Sequence, residues 1–267
     1  MSTNRDVFSH VAEHYDIYRP SAPAVLPGLL TQMAQVAIPS LVVDLGSGTG
    51  LSTFIWAERA KAVLGIELND DMLQVASKKL HTLPLNTPIS FQQGPASQTG
   101  LPAECADIVT CSQSFHWMEP VTTLAEIVRI LRPGGVFAAY DYEWPPTLDW
   151  RAEIAFNTFI DHAWAIKEQR GIVENYQIWP QNRQLQPLLA SGHFRYIKEL
   201  WLHQLETGNA DRFIGLALTN GVIQDLQKGL FSEEEIGLSS FMQTAQETIG
   251  SQLVPWLFSY HVRIGIK

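Results

Sequence analysis

The run Val42-Val43-Asp44-Leu45-Gly46-Ser47-Gly48-Thr49-Gly50 constrains this chain more than any other stretch, because it joins an apolar strand ending in a carboxylate to three alternating glycines. Glycine adopts backbone angles that a β-carbon forbids, and a helix starting near Gly50 is expected to turn its unpaired N–H groups toward the turn. Main chain can therefore approach a nucleotide-like ligand closely. A glycine turn alone is a common feature, and the next strand supplies the second constraint. Ala62-Val63-Leu64-Gly65-Ile66 reads as that strand and ends in Glu67. An acid about 20 residues beyond a glycine turn accepts hydrogen bonds from ribose hydroxyls in doubly wound sheets.

Two ligand classes compete for this arrangement. Nicotinamide dinucleotide folds use Gly-x-Gly-x-x-Gly, whereas this chain reads Gly46-x-Gly48-x-Gly50 with Asp44 two residues ahead. An acid there repels a pyrophosphate but attracts an ammonium group. The segment resembles motif I of the class I S-adenosylmethionine-dependent methyltransferases. The similarity continues in the family's order through Glu67-Leu68-Asn69-Asp70-Asp71-Met72-Leu73 and Phe91-Gln92-Gln93-Gly94-Pro95-Ala96. It then runs through Ala106-Asp107-Ile108-Val109-Thr110 and Ile130-Leu131-Arg132-Pro133-Gly134-Gly135-Val136-Phe137. The nearest flavour is the small-molecule group of the ubiquinone/menaquinone-biosynthesis and trans-aconitate methyltransferases.

What this resemblance implies is an α/β, Rossmann-like doubly wound sheet, mostly parallel with an antiparallel final strand, plus helical cap insertions. One domain is expected over 1–267. It would comprise N-terminal lid helices in 1–35, a cofactor-binding core in 36–142, a substrate cap in 143–193 and 205–250, and a final strand in 254–267. The cofactor would be S-adenosyl-L-methionine. Asp44, Gly46, Ser47, Gly48 and Gly50 would surround its methionine moiety, Glu67 its ribose, and Leu68, Met72, Gly94, Pro95 and Ala96 its adenine. Many relatives carry an Asp where this chain has Pro95, so Ser97 or Gln98 would have to supply a polar group there. Tyr15 and Arg19 resemble the group's lead-in, in which an arginine pairs with the methionine carboxylate.

The fourth strand ends in Thr110-Cys111-Ser112-Gln113-Ser114-Phe115-His116-Trp117, and ligands of open α/β sheets sit beyond carboxyl strand ends. Gln113 is expected at the cofactor, and Ser114, His116 and Trp117 at the acceptor. His116 is the candidate catalytic base, since imidazole titrates near neutrality. Trp144 and Tyr176 are further acceptor-side candidates. Neither His nor Cys groups at metal spacing occur, so no metal is expected.

Composition narrows the partners. At 267 residues and 46% hydrophobic, the chain can bury a sizeable core. A net charge of −9, with 18 Lys and Arg in no dense run, argues against a nucleic-acid surface, and the resemblance implies a small-molecule methyl acceptor. The two cysteines, Cys105 and Cys111, read as buried thiols. With no signal peptide and no 18-residue apolar span, the expectation is a cytoplasmic protein without membrane contact, its oligomeric state undefined.

Alternating strand and helix patterns fill the first half. Thr123 and Glu126 have capping-box spacing ahead of Leu124, Ile127, Val128 and Leu131, and Ser232 and Glu235 repeat it ahead of Leu238, Phe241, Met242, Ala245 and Ile249, with Gly250 as the stop. The stretch 194–201 reads as a sixth strand. Two other functional classes stay open: a nicotinamide oxidoreductase, and a catalytically silent cofactor-binding protein.

Overall fold

The computed structural model describes residues 11–172, 178–179, 184–223 and 229–267. Five parallel strands follow the expected pattern: β1 (Val42–Leu45), β2 (Val63–Glu67), β3 (Ile89–Gln93), β4 (Ala106–Ser112) and β5 (Leu131–Tyr142). Two long strands, β6 (Tyr196–Gly208) and β7 (Val254–Ile266), complete a seven-stranded sheet in the order β3-β2-β1-β4-β5-β7-β6. β7 lies antiparallel to both β5 and β6, as expected of the final strand. β6 continues seven residues past the 194–201 stretch.

Both faces of the parallel part are covered, which is why its strands read as continuous apolar runs. Val42, Ile108, Val136, Ala138 and Tyr140 point to one face, where they meet Leu26 and Leu30 of α2 (Leu26–Met33). Val43, Leu45, Val109, Cys111, Phe137 and Ala139 point to the other, against Leu124 and Ile127 of α4 (Pro120–Ile130). The strand period of two thus assigns every side chain of the sheet to a face. Cys111 is buried and Cys105 half-buried, and neither is in a disulfide.

α1 (Ala12–Tyr18) precedes the sheet, and α3 (Asp70–His81) follows β2. Asn69 caps α3 by accepting from the Met72 N–H at 3.0 Å, with Asp70 and Asp71 in the first turn and Lys78 and Lys79 in the last, matching the helix dipole. Lys78 and Lys79 pair with Glu13 and Asp16 at 2.9 and 2.6 Å, tying α1 to α3.

Three local expectations are corrected. No α-helix starts near Gly50: turns lead into a three-residue 3-10 helix, Phe54–Trp56, because Phe54 N–H closes onto Gly50 C=O and Trp56 N–H onto Thr53 C=O. Thr123 does not cap α4, which begins earlier at Pro120; Glu119 caps it through the Val121 and Thr122 N–H groups, and Glu126 instead binds Thr99 and Arg129. The Ser232–Glu235 box does close, at 2.7 and 3.2 Å, but on a turn. The helix α8 (Leu238–Thr248) starts only after Gly237, whose left-handed φ of 72° breaks the path.

Helices α5 (Trp150–Gln169), α6 (Leu185–Ser191) and α7 (Ala210–Leu218) complete the described set with α8. Phe156 and Phe159 from α5, Phe213 from α7 and Phe241 from α8 form one aromatic cluster, with Phe159 and Phe241 stacked at 4.8 Å and Phe213 edge-on to Trp256 of β7 at 5.9 Å. The aromatic residues of this half therefore bind the helices to the sheet. No described helix is long and apolar enough to cross a membrane. Phe241→Ala should cost about 3–5 kcal/mol in urea unfolding, as for other buried Phe truncations. An effect below about 1 kcal/mol would show that the cluster does not hold the helices to the sheet.

Candidate active site

A cavity of about 240 Å³ opens at the carboxyl ends of the parallel strands. Its floor is the loop after β1, where Gly46 and Gly48 have φ of 65° and 55°. A β-carbon on Gly46 would lie 2.6 Å from Ser114 Cβ, so glycine is required there for space as well as for angle. The Gly46 and Ser47 N–H groups bind Ile66 C=O at 2.8 and 3.1 Å, pinning this loop to the end of β2.

Glu67 closes the same junction. Its Oε2 accepts from Gly48 N–H, and its Oε1 from Leu68 and Asn69 N–H, all at 2.8 Å. An ionised carboxylate has about four acceptor positions, so Oε2 retains one for a ligand donor. Burial pushes the Glu67 pKa up against the pull of these three bonds. Beside it, Ile66, Leu68 and Met72 give an apolar wall, and Gly94, Pro95, Ala96 and Ser97 close the side. Of the two polar residues that follow, Ser97 lines the cavity and Gln98 does not.

Tyr15, Arg19, Gln113, Ser114 and Trp117 also line the cavity, as the sequence suggests. Gln113 holds a left-handed φ of 51°, its N–H bound to Tyr140 C=O at 3.0 Å, and Ser114 donates to Leu45 C=O at 2.8 Å. Two buried hydroxyls of the glycine loop, Ser47 Oγ and Thr49 Oγ1, have no hydrogen-bond partner among the described residues. Both residues line the cavity. Both hydroxyl oxygens are closed off from solvent, with Ser47 Oγ lying against Gly65 of β2, so these residues meet the cavity through their other atoms.

Other expected site residues stand elsewhere. Asp44 is fully buried behind the glycine loop and outside the cavity wall; it accepts from Thr53 Oγ1 at 2.7 Å and Thr110 Oγ1 at 2.8 Å. Gly50 turns the chain behind the loop. His116 is outside the wall too: its Nδ1 lies 3.4 Å from Asp141 Oδ1, in a network where Arg263 reaches Asp141 Oδ2 at 2.8 Å. The physical reason is strand alternation, since Asp141 points to the sheet face opposite Tyr140 and Tyr142 and the short Phe115–Trp117 turn packs His116 beside it. A base must come within about 3 Å of the proton it removes, and this geometry gives His116 no such place in the cavity. Trp144 lies behind Arg19, 4.4 Å from its guanidinium, and Tyr176 lies outside the described residues.

Sequence reasoning missed Tyr142 and Tyr260, which pair in register across β5 and β7 and both line the cavity. Tyr140-x-Tyr142 at a strand end was the available signal; the pairing with Tyr260 depends on a register that no local pattern gives. No described residue of 143–193 or 205–250 lines the cavity, and Thr219 at the end of α7 touches it only through Arg19. Among the described residues, no group of three His, Cys, Asp or Glu side chains could hold a metal ion.

Comparison with known proteins matches residues 43–139 to the protein-family model described as a methyltransferase domain. This segment is a class I methyltransferase domain. It spans the glycine loop, Glu67, the loop after β3 and β4, the same structures that build the cavity floor. A Saccharomyces cerevisiae protein named "Probable S-adenosylmethionine-dependent methyltransferase CRG1" is 30% identical over 153 residues, 57% of this chain and 52% of that protein. A malonyl-[acyl-carrier protein] O-methyltransferase of Marinomonas is 31% identical over 131 residues, 48% of this chain and 47% of that one. The chain thus spans about half the length of the curated relatives it matches. A solved structure of a candidate type II methyltransferase from Anaeromyxobacter dehalogenans superposes with a TM-score of 0.65 at 21% identity, covering 93% of this chain and 98% of that one. A Haemonchus contortus phosphoethanolamine N-methyltransferase, solved with S-adenosylhomocysteine, gives 0.58 at 17% identity, covering 100% of this chain and 61% of that one. These structural likenesses are of fold.

The burial of Asp44 predicts a pH signature. Burial, opposed by the Thr53 and Thr110 bonds, raises its pKa from 3.8 to about 6. The folded state then holds a proton that the unfolded state has lost, so this group lowers stability as pH rises from about 4 to about 6. Asp44→Asn should remove that contribution, so the stability of the variant relative to the parent rises by roughly 2 kcal/mol between pH 4 and pH 7 in urea titrations. A pH-independent difference between the two proteins would contradict the burial.

Proposed function

We propose that this chain is an S-adenosylmethionine-dependent methyltransferase acting on a small-molecule acceptor. The observation that carries the reading is one cavity in which an anchored ribose-type acid, Glu67, stands beside an apolar adenine-sized wall and a glycine loop, Gly46 to Thr49. The residues fit the cofactor. Glu67 Oε2 would take a ribose hydroxyl, Leu68, Met72 and Ala96 would flank the adenine, and the glycine loop from Gly46 to Thr49 would lie along the amino-acid end. Asp44 would act from behind, holding the loop through Thr53 and Thr110. When bound, the cofactor supplies an electrophilic methyl group on a sulfonium centre. The chain's own part is chiefly to position an acceptor in line with that methyl and to exclude water, a contribution that proximity alone can make large.

For the acceptor atom we favour oxygen, in a carboxyl or hydroxyl group. The named activity of the Marinomonas relative, an O-methyltransferase, supports it. Segments 143–193 and 205–250 would cap the acceptor side, with α7 acting on the cavity through the Thr219–Arg19 contacts.

Calorimetry should give micromolar-range binding of S-adenosylmethionine and its demethylated product, with NAD at least about 100-fold weaker. Glu67→Ala should weaken the product complex by about 10-fold or more, the scale set by leaving buried donors unsatisfied. Equal affinity for NAD, or no loss in the variant, would overturn the reading. Incubation with CD3-labelled cofactor and metabolite pools should yield a labelled methyl ester or ether, and label on nitrogen, carbon or sulfur would contradict the oxygen assignment.

A further inference from the structure

β6 is an edge strand, and it is much longer than β3 at the other edge of the sheet, 13 residues against 5. β7 takes up one side of its main chain, from Tyr196 opposite Ile266 to Gly208 opposite Val254. On the other side, no backbone group of another described residue bonds to it. A free edge leaves N–H and C=O groups open to another strand, and proteins ordinarily guard it by keeping it short or charged. Here the guard is weak. Trp201 and Leu205 are 47% and 71% exposed, on the face that strand alternation gives also to Ile197, Glu199 and His203.

Along that face the side chains read Ile197, Glu199, Trp201, His203, Leu205, a series complementary to its own reverse. When a second β6 is laid antiparallel with Trp201 opposite Trp201, Ile197 meets Leu205 and Glu199 meets His203, each twice. On the other face Leu200 meets Leu202 and Lys198 meets Gln204, so no like charges are opposed. Main-chain groups point outward at alternate residues, so a two-fold axis has to pass between two copies of the same residue, and few registers compete. Centring on Leu202 sets Lys198 against Glu206, which Arg212 already pairs, and leaves Glu199 against Leu205 and Leu200 against Gln204. Centring on Leu200 sets Lys198 against Leu202 and Glu199 against Trp201. Of these three registers, the one through Trp201 alone joins apolar to apolar and acid to base on the exposed face.

We propose that β6 pairs antiparallel with β6 of a second copy of this chain, centred on Trp201, and so runs the two seven-stranded sheets into one. The two-fold arrangement is closed and uses up the long free edge of both copies. Glu199 meets His261 through Oε1 at 3.0 Å and His203 meets Ser259 through Nδ1 at 3.0 Å, which leaves Oε2 of one and Nε2 of the other for the pair across the axis. Trp201 stacks on His261 at 4.4 Å, so its ring is already ordered before association and little freedom is lost on pairing. No residue of β6 lines the cavity, so the pairing and the cofactor reading stand or fall separately.

Sedimentation equilibrium of the full chain at about 100 μM should give twice the 29.9 kDa of one chain. Leu205→Lys should weaken the dimer by about 10-fold or more, since it removes an apolar pair on each side of the axis. His203→Glu sets an acid against Glu199 of the partner subunit and should weaken it similarly, while His203→Lys keeps the opposite charge and should leave it intact. Trp201→Cys should form a covalent dimer under mild oxidation. Leu205→Cys should not, because its two copies would stand about 27 Å apart along the paired strands. The parent, with Cys111 buried and Cys105 half-buried, is the control. Leu205 and His203 are exposed, and an unchanged far-ultraviolet circular dichroism spectrum confirms that their variants fold. A 29.9 kDa species at the same concentration overturns the proposal, as does a dimer that Leu205→Lys leaves intact, which would use another surface. Equal effects of His203→Glu and His203→Lys, or a covalent dimer from Leu205→Cys and none from Trp201→Cys, would refute the pairing through Trp201.

Discussion

The Glu67 carboxylate accepts backbone N–H bonds from Gly48 on one side and from Leu68 and Asn69 on the other, and so fixes the loops after β1 and β2 against each other. Everything on the cavity floor depends on this junction. The glycine loop can take its left-handed angles because its N–H groups are received by Glu67 and Ile66 C=O, and Asn69, placed by the same carboxylate, caps α3. An acid at this position thus has two tasks: it organises two loops and retains one acceptor position for a ligand. Only a carboxylate fits, since an amide would set its own N–H against one of three donors.

Strand alternation decides which side chains can work in the cavity. On β5, Tyr140 and Tyr142 point to the face shared with Asp44 and Thr110, while Asp141 points away and draws Arg263 and His116 into a separate buried network. The cavity consequently receives phenols and a guanidinium instead of an imidazole. That distribution suits positioning and charge complementarity more than proton removal, and it agrees with a reaction whose main demand on the protein is alignment.

The parts of this architecture legible in sequence were those encoded locally. The glycine spacing, the acid at the end of β2 and the unbroken apolar runs each follow from residues close together in the chain, and they located the cavity floor and the parallel strands along the sequence, while the spatial order of those strands came only with the structure. Asp44 was readable as important but not as hidden, because its burial depends on Thr53 and Thr110 arriving from two other elements. His116 was misplaced for the same reason, since the neighbour that draws it away lies on β5. Arg19 was found, yet its partners Thr219 and Tyr142 lie 200 and 123 residues away, and no local pattern announces such contacts. The capping boxes show the limit from the other side: Ser232 and Glu235 bond as their spacing implies, while Pro120 starts α4 early and releases Glu126 to bind Thr99 and Arg129.

The central claim is that the Glu67 junction is the ribose-binding corner of a cofactor cavity. A crystal structure of the chain soaked with S-adenosylhomocysteine tests it most directly. The account predicts the nucleoside in the cavity, with a ribose hydroxyl within hydrogen-bond distance of Glu67 Oε2 and the adenine between Leu68, Met72 and Ala96. A ligand whose ribose lies away from Glu67, or a cavity that stays empty at saturating ligand, would contradict it.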